Sequence, residues 1–464
     1  MKQGARRGTR FSSATTDYAT KPDDCVRAAY APAKHAGRNA MKIIAVAAVG
    51  LASFAFAGAM LTPPAQAQDW ALPMAAKPED VGLSSTQLKR IEAATQKHVD
   101  DGLVPGAVML VARRGKVAWV STLGKRDPAA SPDPMKADSI FRIYSMTKPI
   151  VSLAVMQMVE EGRLQVSDPV SKFLPEMGKM KVAQEKAGAD GTHSLLLSDP
   201  ERPMTVQDLL RHTSGLIYGG RGSSLVNQAY VAAKIGDRSM SNQEFVAKLS
   251  TLPLRFSPGA RWEYGVSTDV LGRLIEVVDG KTLGESLSER IFKPLGMVDT
   301  QFQVPAAKVA RAAQPGPRPG GQPMTPRFKV DDGAKYESGG GGLTSTMADY
   351  LRFAAMLANG GVLEGKRVIG KQTLAFMTAD HTGTRPGRPP GLGFGLGFEV
   401  RTMTGEAALP GSIGEYGWAG NAGTLFWIDP KNELTAIYMV QVSDPDRIAL
   451  RNQFRSMVQA AIME

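Results

Sequence analysis

The chain has 464 residues, a formal net charge of +11 and a hydrophobic fraction of 43%, so it is long enough for two or three domains around a large core and is not disordered throughout. Residues 1–67 carry nine Lys or Arg and three Asp or Glu, and without them the net charge falls by six, to about +5. An excess of that size argues against a nucleic-acid-binding protein.

The first 67 residues have the pattern of a secreted precursor. Residues 1–40 are polar and basic, whereas Met41-Lys42 leads into an alanine-rich apolar run that ends at Ala65-Gln66-Ala67, the small-x-small pattern of signal peptidase. We interpret 41–67 as a signal peptide and 1–40 as a non-native upstream extension. A membrane anchor is the alternative, but Thr62-Pro63-Pro64 interrupts the run. The protein is therefore expected to be periplasmic or secreted, without membrane contact after signal removal.

The only cysteine, Cys25, lies in this predicted precursor segment. A mature chain without it has no disulfide, no thiol nucleophile and no thiolate metal ligand. The chain also lacks the Gly-x-Ser-x-Gly and His-Glu-x-x-His patterns, which argues against a nucleophile-elbow hydrolase and a zinc peptidase. We expect neither a metal nor a cofactor.

Residues 83–123 predict a helix followed by a β-hairpin. The helix opens at Leu83-Ser84-Ser85, and His98 lies on one of its faces, where a histidine is more often structural than functional. Strand-like runs over 106–113 and 116–123, joined at Arg114-Gly115, indicate the hairpin. Antiparallel strands followed by an apolar helix favour a sheet with helices packed on it.

The stretch from Phe141 to Pro149 contains a serine and a lysine three residues apart, Ser145 and Lys148, at the start of an apolar run over 150–159. If a helix begins near Ser145, the two side chains share one face, and the run predicts a helix buried on all sides. A hydroxyl beside such an amine can be a nucleophile with its base. The alternative is an ordinary helix start with a capping serine and a solvated lysine, and the local sequence leaves both open.

Helices dominate the middle of the chain. A polar segment over 178–203 is expected to be a surface loop, and 311–342, rich in proline and glycine, is expected to be irregular. Short helices are predicted between these segments, over 205–211, 242–251 and 268–278.

Strand patterns return towards the C-terminus. Successive elements are predicted as a helix from about Leu343 to Asn359, strands over 395–402, 423–428 and 434–442, and an amphipathic helix over 447–462. The predicted fold class is α+β, with an antiparallel sheet flanked by helices. Residues 68–143 and 331–464 would form the sheet domain, and 144–330 an inserted, mainly helical domain.

Three distant stretches occur in a recognisable order: Ser145-Met146-Thr147-Lys148, Tyr264-Gly265-Val266 and Trp418-Ala419-Gly420. In this order they make the chain, from about Leu83 onwards, resemble the serine β-lactamase and penicillin-binding hydrolase superfamily, with its β-lactamase/transpeptidase-like fold. The class C branch is the most similar, but Val266 stands where that branch has asparagine and Trp418 where it has lysine. Both departures are similar to those of the family VIII carboxylesterases.

The resemblance implies a role for each motif. Ser145 would be the nucleophile and Lys148 or Tyr264 its base, and the residues leave open which of the two acts in each step. Lys148 accepts a proton only if it is partly neutral, which a desolvated position would favour. Backbone N–H groups of Ser145 and Asn421 would hold the oxyanion, and Gly420 would let substrate lie close to its strand.

The third motif bears on the substrate. A lysine there would attract a carboxylate, whereas Trp418 offers an apolar wall, unless it is merely core packing. Val266 lacks the amide that would bind a substrate amide carbonyl. Both changes favour neutral esters.

The resulting hypothesis is a secreted serine hydrolase that cleaves small to medium acyl carboxylic esters through an acyl-enzyme on Ser145. Its expected partner is a small-molecule ester, and its oligomeric state is left open. The alternatives are a class C-like β-lactamase or D-amino-acid peptidase, and a non-catalytic cell-wall ligand receptor.

Two histidine-containing stretches compete with this assignment. His381-Thr382-Gly383 has the His-x-Gly form that can replace the third motif in relatives, but it lies in a Pro/Gly loop before the last strands. His212-Thr213-Ser214-Gly215 resembles a recurring structural turn of the superfamily. We predict that neither takes part in catalysis.

Overall fold

The computed structural model describes residues 70–130, 133–316, 326–442 and 447–464. The predicted upstream extension over 1–40 and signal peptide over 41–67, with Cys25, lie outside these residues. The described strands, in chain order, are β1 Gly106–Arg113, β2 Lys116–Gly124, β3 Phe141–Arg142, β4 Val182–Ala187, β5 His193–Ser198, β6 Thr344–Ser345, β7 Val362–Leu363, β8 Lys366–Arg367, β9 Leu392–Phe394, β10 Glu399–Arg401, β11 Tyr416–Ala419, β12 Leu425–Asp429 and β13 Leu434–Val440.

Helices occupy most of the segments between these strands. The described α-helices are α1 Ser85–Asp100, α2 Thr147–Glu160, α3 Val206–Leu210, α4 Leu225–Ala232, α5 Asn242–Leu249, α6 Ser267–Asp279, α7 Leu283–Leu287, α8 Lys293–Leu295, α9 Met347–Ala358, α10 Lys371–Met377 and α11 Arg447–Gln459. Short 3₁₀ segments lie at Pro78–Val81, Tyr144–Met146, Val170–Lys172, Pro175–Lys179 and Ala306–Arg311, and a π-helical turn at Ser288–Phe292. None of the described helices has the length and apolar composition needed to cross a bilayer.

Seven strands form one antiparallel sheet in the order β2-β1-β13-β12-β11-β10-β9. Because β1 pairs with β13, with Leu110 opposite Ile437, strands from the two ends of the described chain lie side by side. Met109 and Leu110 point to opposite faces: Met109 packs into the core shared with α1 and α11, and Leu110 into the core shared with α2 and α9. The predicted antiparallel sheet flanked by helices is confirmed.

Helix α2 lies in the middle of the larger core. Every residue from Thr147 to Met158 is buried, including Lys148, so the predicted all-round burial is confirmed. The helix begins slightly later than the sequence suggests, because Ser145 sits in the 3₁₀ turn Tyr144–Met146 that leads into it. Lys148 therefore belongs to the first turn of α2, one residue after its start.

The segment over 178–203 contains a β-hairpin, so the prediction of a surface loop is wrong. Strands β4 and β5 pair along six residues each and are mostly exposed. They are joined by a turn in which Gly188 N donates to Thr192 O (2.7 Å) and Gly191 has a φ of +79°. Strands that pair outside the core show little alternation of hydrophobic and polar residues, so the sequence over 178–203 does not indicate this hairpin. Helix α4 was also not predicted.

The sheet takes its strands from residues 106–124 and 392–440, and α2 to α8 lie between these segments in sequence. This placement is compatible with an inserted helical region. The division into a sheet domain (68–143 and 331–464) and a helical domain (144–330) stays a prediction.

Asp349 is expected to make stability depend on pH. Its buried carboxylate, in the first turn of α9, accepts hydrogen bonds from Asp299 N (2.7 Å) and Thr300 Oγ1 (2.8 Å), and burial raises its pKa from 3.8 to about 6. A raised folded-state pKa gives a stabilising contribution that is complete below pH 3.8 and is lost as the pH rises through 6. The free energy of unfolding of Asp349→Asn, relative to wild type, should therefore rise by about 2 kcal/mol between pH 4 and 7 in urea titrations.

Asp208 provides a control of opposite sign. Burial alone would raise the pKa of Asp208, but hydrogen bonds from Arg202, Thr205 and Thr213 outweigh it and lower the pKa to about 2. Its contribution is therefore present above pH 3.8 and is lost as the pH falls towards 2. An Asp349→Asn difference that stays constant from pH 4 to 7 would contradict the Asp349 assignment.

Candidate active site

Ser145 lies on a strained turn between β3 and α2. The residue before it, Tyr144, has a φ of +44°, a left-handed conformation that is uncommon for a bulky side chain. Tyr144 is held there by its hydroxyl, which accepts a hydrogen bond from Arg327 N (3.3 Å), and by an edge contact with Phe328 (5.5 Å between ring centroids). The turn places Ser145 at the wall of a large cavity.

Lys148 lies one turn further along, fully buried behind Ser145. Its Nζ donates to Gly340 O at 2.6 Å, to the Tyr218 hydroxyl at 3.1 Å and to Ser145 Oγ at 3.5 Å. The predicted pairing of serine and lysine is present, and the alternative of a solvated lysine is wrong. The contact with Ser145 is nevertheless the longest of the three.

The sequence leads us to expect that burial lowers the pKa of Lys148, but the net effect of its surroundings is the opposite. Burial disfavours the ammonium, but the neighbouring Tyr218, Tyr264 and Asp269 outweigh burial, and the net effect raises the pKa of Lys148. Burial also raises the pKa of the Tyr218 phenol, so that hydroxyl stays protonated. The direction of this pKa shift is therefore opposite to the one that a partly neutral lysine requires, and the role of Lys148 as a base stays a prediction.

Tyr264 is the group closest to the candidate nucleophile. Its hydroxyl donates to Ser145 Oγ at 2.7 Å and accepts from Trp418 Nε1 at 3.4 Å. Lys148 Nζ lies 4.6 Å from the centre of the Tyr264 ring. All three sequence motifs therefore meet at one point.

The backbone next to Tyr264 requires a glycine and leads into α6. A Cβ on Gly265 would overlap Leu216 O, so only glycine fits between the tyrosine and the helix. Val266 follows as the residue before α6; it is buried and lines the cavity, as expected for a substrate-facing position.

The third motif lies at the end of β11. The Trp418 ring is 5.4 Å from Tyr264 and 5.1 Å from Phe394, so it belongs to an aromatic wall of the cavity rather than to core packing alone. A Cβ on Gly420 would overlap Ile143 O and Thr424 Oγ1. The close approach at Gly420 is therefore made by the protein itself, which brings the end of β11 against the segment before Ser145.

Asn421, the predicted oxyanion donor, follows in the turn that Gly420 and Gly423 close. Within the described ranges its backbone N–H donates to no other group, and both Asn421 and Ser145 line the cavity. The two N–H groups therefore stay the predicted oxyanion donors.

Sequence reasoning missed Asp269 and the glycine segment it holds. The Asp269 carboxylate accepts hydrogen bonds from the Tyr336 hydroxyl (2.8 Å), Ser338 Oγ (2.5 Å) and Gly340 N (3.0 Å). This fixes the loop whose Gly340 carbonyl receives the Lys148 ammonium. The four consecutive glycines over 339–342 were the available signal, because such a run marks close backbone packing.

Neither competing histidine forms a hydrogen bond with Ser145, Lys148 or Tyr264 among the described residues. His212 is buried, packs 4.9 Å from the Tyr264 ring, and makes no hydrogen bond through its ring nitrogens to any described residue. Burial, followed by the nearby charges of Lys148, Arg388 and Arg221, holds its pKa well below its usual value, so it is neutral. His381 contacts Gln207 and Phe376 O and does not line the cavity.

The cavity beside Ser145 has a volume of about 1030 Å³, which is large enough for an ester of moderate size. Ser145, Tyr218, Tyr264 and Trp418 are among the residues that line it. In the part of the chain that the structure describes, no group of three His, Cys, Asp or Glu side chains could hold a metal ion.

Comparison with known proteins agrees with this geometry. The family model described as Beta-lactamase matches residues 91–458, which is well over half of the chain. The chain belongs to the beta-lactamase family.

Similar proteins cover most of this beta-lactamase family chain. Protein Rv1367c of Mycobacterium tuberculosis is 35% identical over 375 residues, which is 75% of this chain and 89% of the relative. Esterase EstB of Burkholderia gladioli is 31% identical over 393 residues, which is 78% of this chain and 94% of the relative. The solved structure of EstCE1, described as a hydrolase with promiscuous acyltransferase activity, is 25% identical with a TM-score of 0.67 and covers 82% of this chain and 99% of its own.

These likenesses confirm the predicted resemblance to the serine β-lactamase superfamily, near the family VIII esterases, and the predicted β-lactamase/transpeptidase-like fold. The protein is a serine hydrolase of the beta-lactamase family. The roles of Ser145, Lys148, Tyr264 and the third motif are not decided by these likenesses and stay predictions.

Proposed function

We propose that the protein hydrolyses small to medium acyl carboxylic esters through an acyl-enzyme on Ser145. The observation that carries the proposal is the 2.7 Å hydrogen bond between the Tyr264 hydroxyl and Ser145 Oγ, beside a buried lysine ammonium. A serine hydroxyl attacks an ester only when a neighbouring group takes its proton. This contact provides such a group at the wall of a cavity of suitable size.

Tyr264 is the better candidate for the base. The Lys148 ammonium carries no free lone pair and lies farther from Ser145 Oγ, at 3.5 Å. In the proposed reactive state Tyr264 has released its proton to solvent, and the Lys148 ammonium and the Trp418 N–H stabilise the phenolate oxygen, which then accepts the hydrogen bond from Ser145 Oγ. Lys148 then acts by its charge, and Tyr264 by moving the proton.

The proposed reaction proceeds in two halves. Ser145 Oγ attacks the ester carbonyl carbon as its proton passes to the Tyr264 phenolate, and Tyr264 returns the proton to the departing alcohol oxygen, which leaves an acyl group on Ser145. A water molecule then attacks the same carbon while its proton passes to Tyr264. The Ser145–acyl bond breaks, and Tyr264 returns the proton to Ser145 Oγ. The N–H groups of Ser145 and Asn421 would hold the oxyanion in both halves.

Two features favour an ester over a β-lactam. Trp418 provides an aromatic surface where class C enzymes have a lysine, and Val266 provides no amide for a substrate amide carbonyl. The names of the similar proteins point the same way, since EstB is called an esterase and EstCE1 a hydrolase with promiscuous acyltransferase activity. The proposed substrates are therefore esters.

A direct comparison of two chromogenic substrates tests the proposal. We expect kcat/KM for p-nitrophenyl butyrate to exceed that for a chromogenic cephalosporin by at least about 100-fold, because a missing charged hydrogen bond alone accounts for one to two powers of ten. Steady-state rates at saturating and subsaturating substrate give both constants. Faster turnover of the cephalosporin would favour the β-lactamase alternative.

We also propose that the protein acts in the periplasm or outside the cell, on the strength of the signal pattern over 41–67. Mass spectrometry of the exported protein should then find an N-terminus at Gln68. Recovery of the full-length chain from the cytoplasmic fraction alone would contradict this localisation.

A further inference from the structure

The cavity beside Ser145 contains three carboxylates, and each already has partners. Asp269 accepts the three hydrogen bonds described above, Glu399 pairs with Arg388, and Glu415 pairs with Arg401 and Arg455. None of these acids is available to neutralise a further cation in the cavity. A positively charged side chain without its own partner would therefore leave the cavity attractive to an anion.

Arg221 is such a side chain. It lies at the exposed mouth of the cavity, with its guanidinium carbon 4.9 Å from the centre of the Tyr264 ring and 5.8 Å from that of Tyr218. Among the described residues, its guanidinium makes no hydrogen bond or ion pair with another group, and it contacts only these two rings. Stacking occupies the face of a guanidinium and leaves the N–H donors at its edge available for a carboxylate.

Two of the other cations that line the same cavity need comparison with Arg221. Lys234, just beyond α4, and Arg327, beside Tyr144, are exposed and form no ion pair with a described residue. Arg221 is distinguished from both by its position, because a single ring, that of Tyr264, separates it from Ser145. Arg221 is therefore placed beside the group that contacts the candidate nucleophile.

We propose that Arg221 determines specificity by binding a carboxylate carried by the ester substrate. The inference rests on the proposed esterase function and narrows its substrate class to esters with a carboxylate near the scissile bond. This carboxylate belongs either to the acyl part, as in a half-ester of a dicarboxylic acid, or to the alcohol part, as in an ester of a hydroxy acid. This substrate class differs from the neutral esters expected from the sequence, because the cation lies on the segment before α4 and not on β11, where a lysine would hold the carboxylate of a β-lactam.

Matched esters test the proposal. For the acyl part, mono-p-nitrophenyl glutarate is compared with p-nitrophenyl butyrate; for the alcohol part, 4-(butyryloxy)benzoate is compared with its methyl ester. The quantity measured is the ratio of kcat/KM for the anionic ester to that for its neutral partner. Because only the ratio counts, a general effect of a variant on Tyr264 or on folding cancels.

Arg221→Gln is expected to lower this ratio at least about tenfold for one of the two pairs, and the affected pair identifies the part of the substrate that carries the carboxylate. Arg221→Lys should recover part of the loss, since a point charge replaces a planar fork. Arg90→Gln is the matched control: Arg90 is exposed on α1, outside the cavity, and its removal changes the net charge equally. It should leave both ratios unchanged.

Three results would overturn the proposal. The first is that Arg221→Gln leaves both kcat/KM ratios unchanged. The second is that Arg90→Gln lowers the ratio as much as Arg221→Gln does, which would indicate attraction by net charge alone. The third is that Arg221→Lys lowers the ratio further than Arg221→Gln does. Each can be observed while the wild type hydrolyses p-nitrophenyl butyrate, in which case the esterase function stands. If the wild type hydrolyses none of the four esters, the proposed function itself fails.

Discussion

Ser145→Ala is expected to lower kcat for p-nitrophenyl butyrate by about 10⁵-fold and to abolish covalent labelling by a fluorophosphonate. The size of the effect follows from the chemistry, because no other described hydroxyl that could accept the acyl group forms hydrogen bonds with both Tyr264 and Lys148. The residual rate would come from the oxyanion donors and from binding alone. Intact-protein mass spectrometry reads the adduct, and steady-state kinetics the rate.

Ser152→Ala is the matched control on α2, the helix that follows Ser145. Ser152 lies two turns beyond Ser145, is buried, and its hydroxyl has no hydrogen-bond partner among the described residues. This variant should be labelled as fast as the wild type, which shows that the loss in Ser145→Ala does not arise from disturbing α2. Labelling that persists in Ser145→Ala would place the nucleophile elsewhere. Absence of labelling in the wild type would favour the ligand-receptor alternative.

Tyr264→Phe is expected to lower kcat by about 10³- to 10⁴-fold, the upper part of the range for general acid–base catalysis. The substitution removes only the hydroxyl that donates to Ser145 Oγ and accepts from Trp418 Nε1, and it keeps the ring that contacts His212, Tyr218 and Trp418. Because Tyr264 would move the proton in both halves of the reaction, acylation and deacylation should both slow. Stopped-flow release of p-nitrophenol separates the two steps.

Tyr218→Phe is the control that separates proton transfer from support of the lysine. Tyr218 contacts Lys148 Nζ at 3.1 Å, and no hydrogen bond joins it to Ser145 among the described residues. Its loss should cost only about tenfold, the usual size of one hydrogen bond to a charged group. A larger loss in Tyr218→Phe than in Tyr264→Phe would contradict the route through Tyr264 and would return Lys148 to the role of base.

The Tyr264→Phe and Tyr218→Phe variants also test whether Lys148 acts as a charged ammonium and not as a neutral base. A buried amine is easily taken for a neutral base, since burial by itself disfavours its charge. Here Gly340 O, positioned by Asp269, and the two tyrosines surround the amine closely enough to keep it charged. The lysine would thus stabilise negative charge on a neighbouring oxygen throughout the reaction.

Local patterns allowed much of the fold to be predicted. The hairpin of β1 and β2 is predicted by two strand-like runs joined at Arg114-Gly115, and α3, α5, α6 and α9 by their apolar spacing and caps, because these signals act within a few residues. The exposed hairpin of β4 and β5 was missed because its strands pair without burying a face. Strand β11 was too short to show a period of its own.

By itself, the sequence determined which residue types are available: a serine and a lysine on one helical turn, a tyrosine before a glycine, and a tryptophan where relatives have a lysine. Only the tertiary structure decided how they act, because distances between segments more than a hundred residues apart depend on packing that no local pattern encodes. It placed Tyr264 nearer to Ser145 than Lys148, kept that lysine charged through Gly340 and Tyr218, and put the unpaired Arg221 over the same ring.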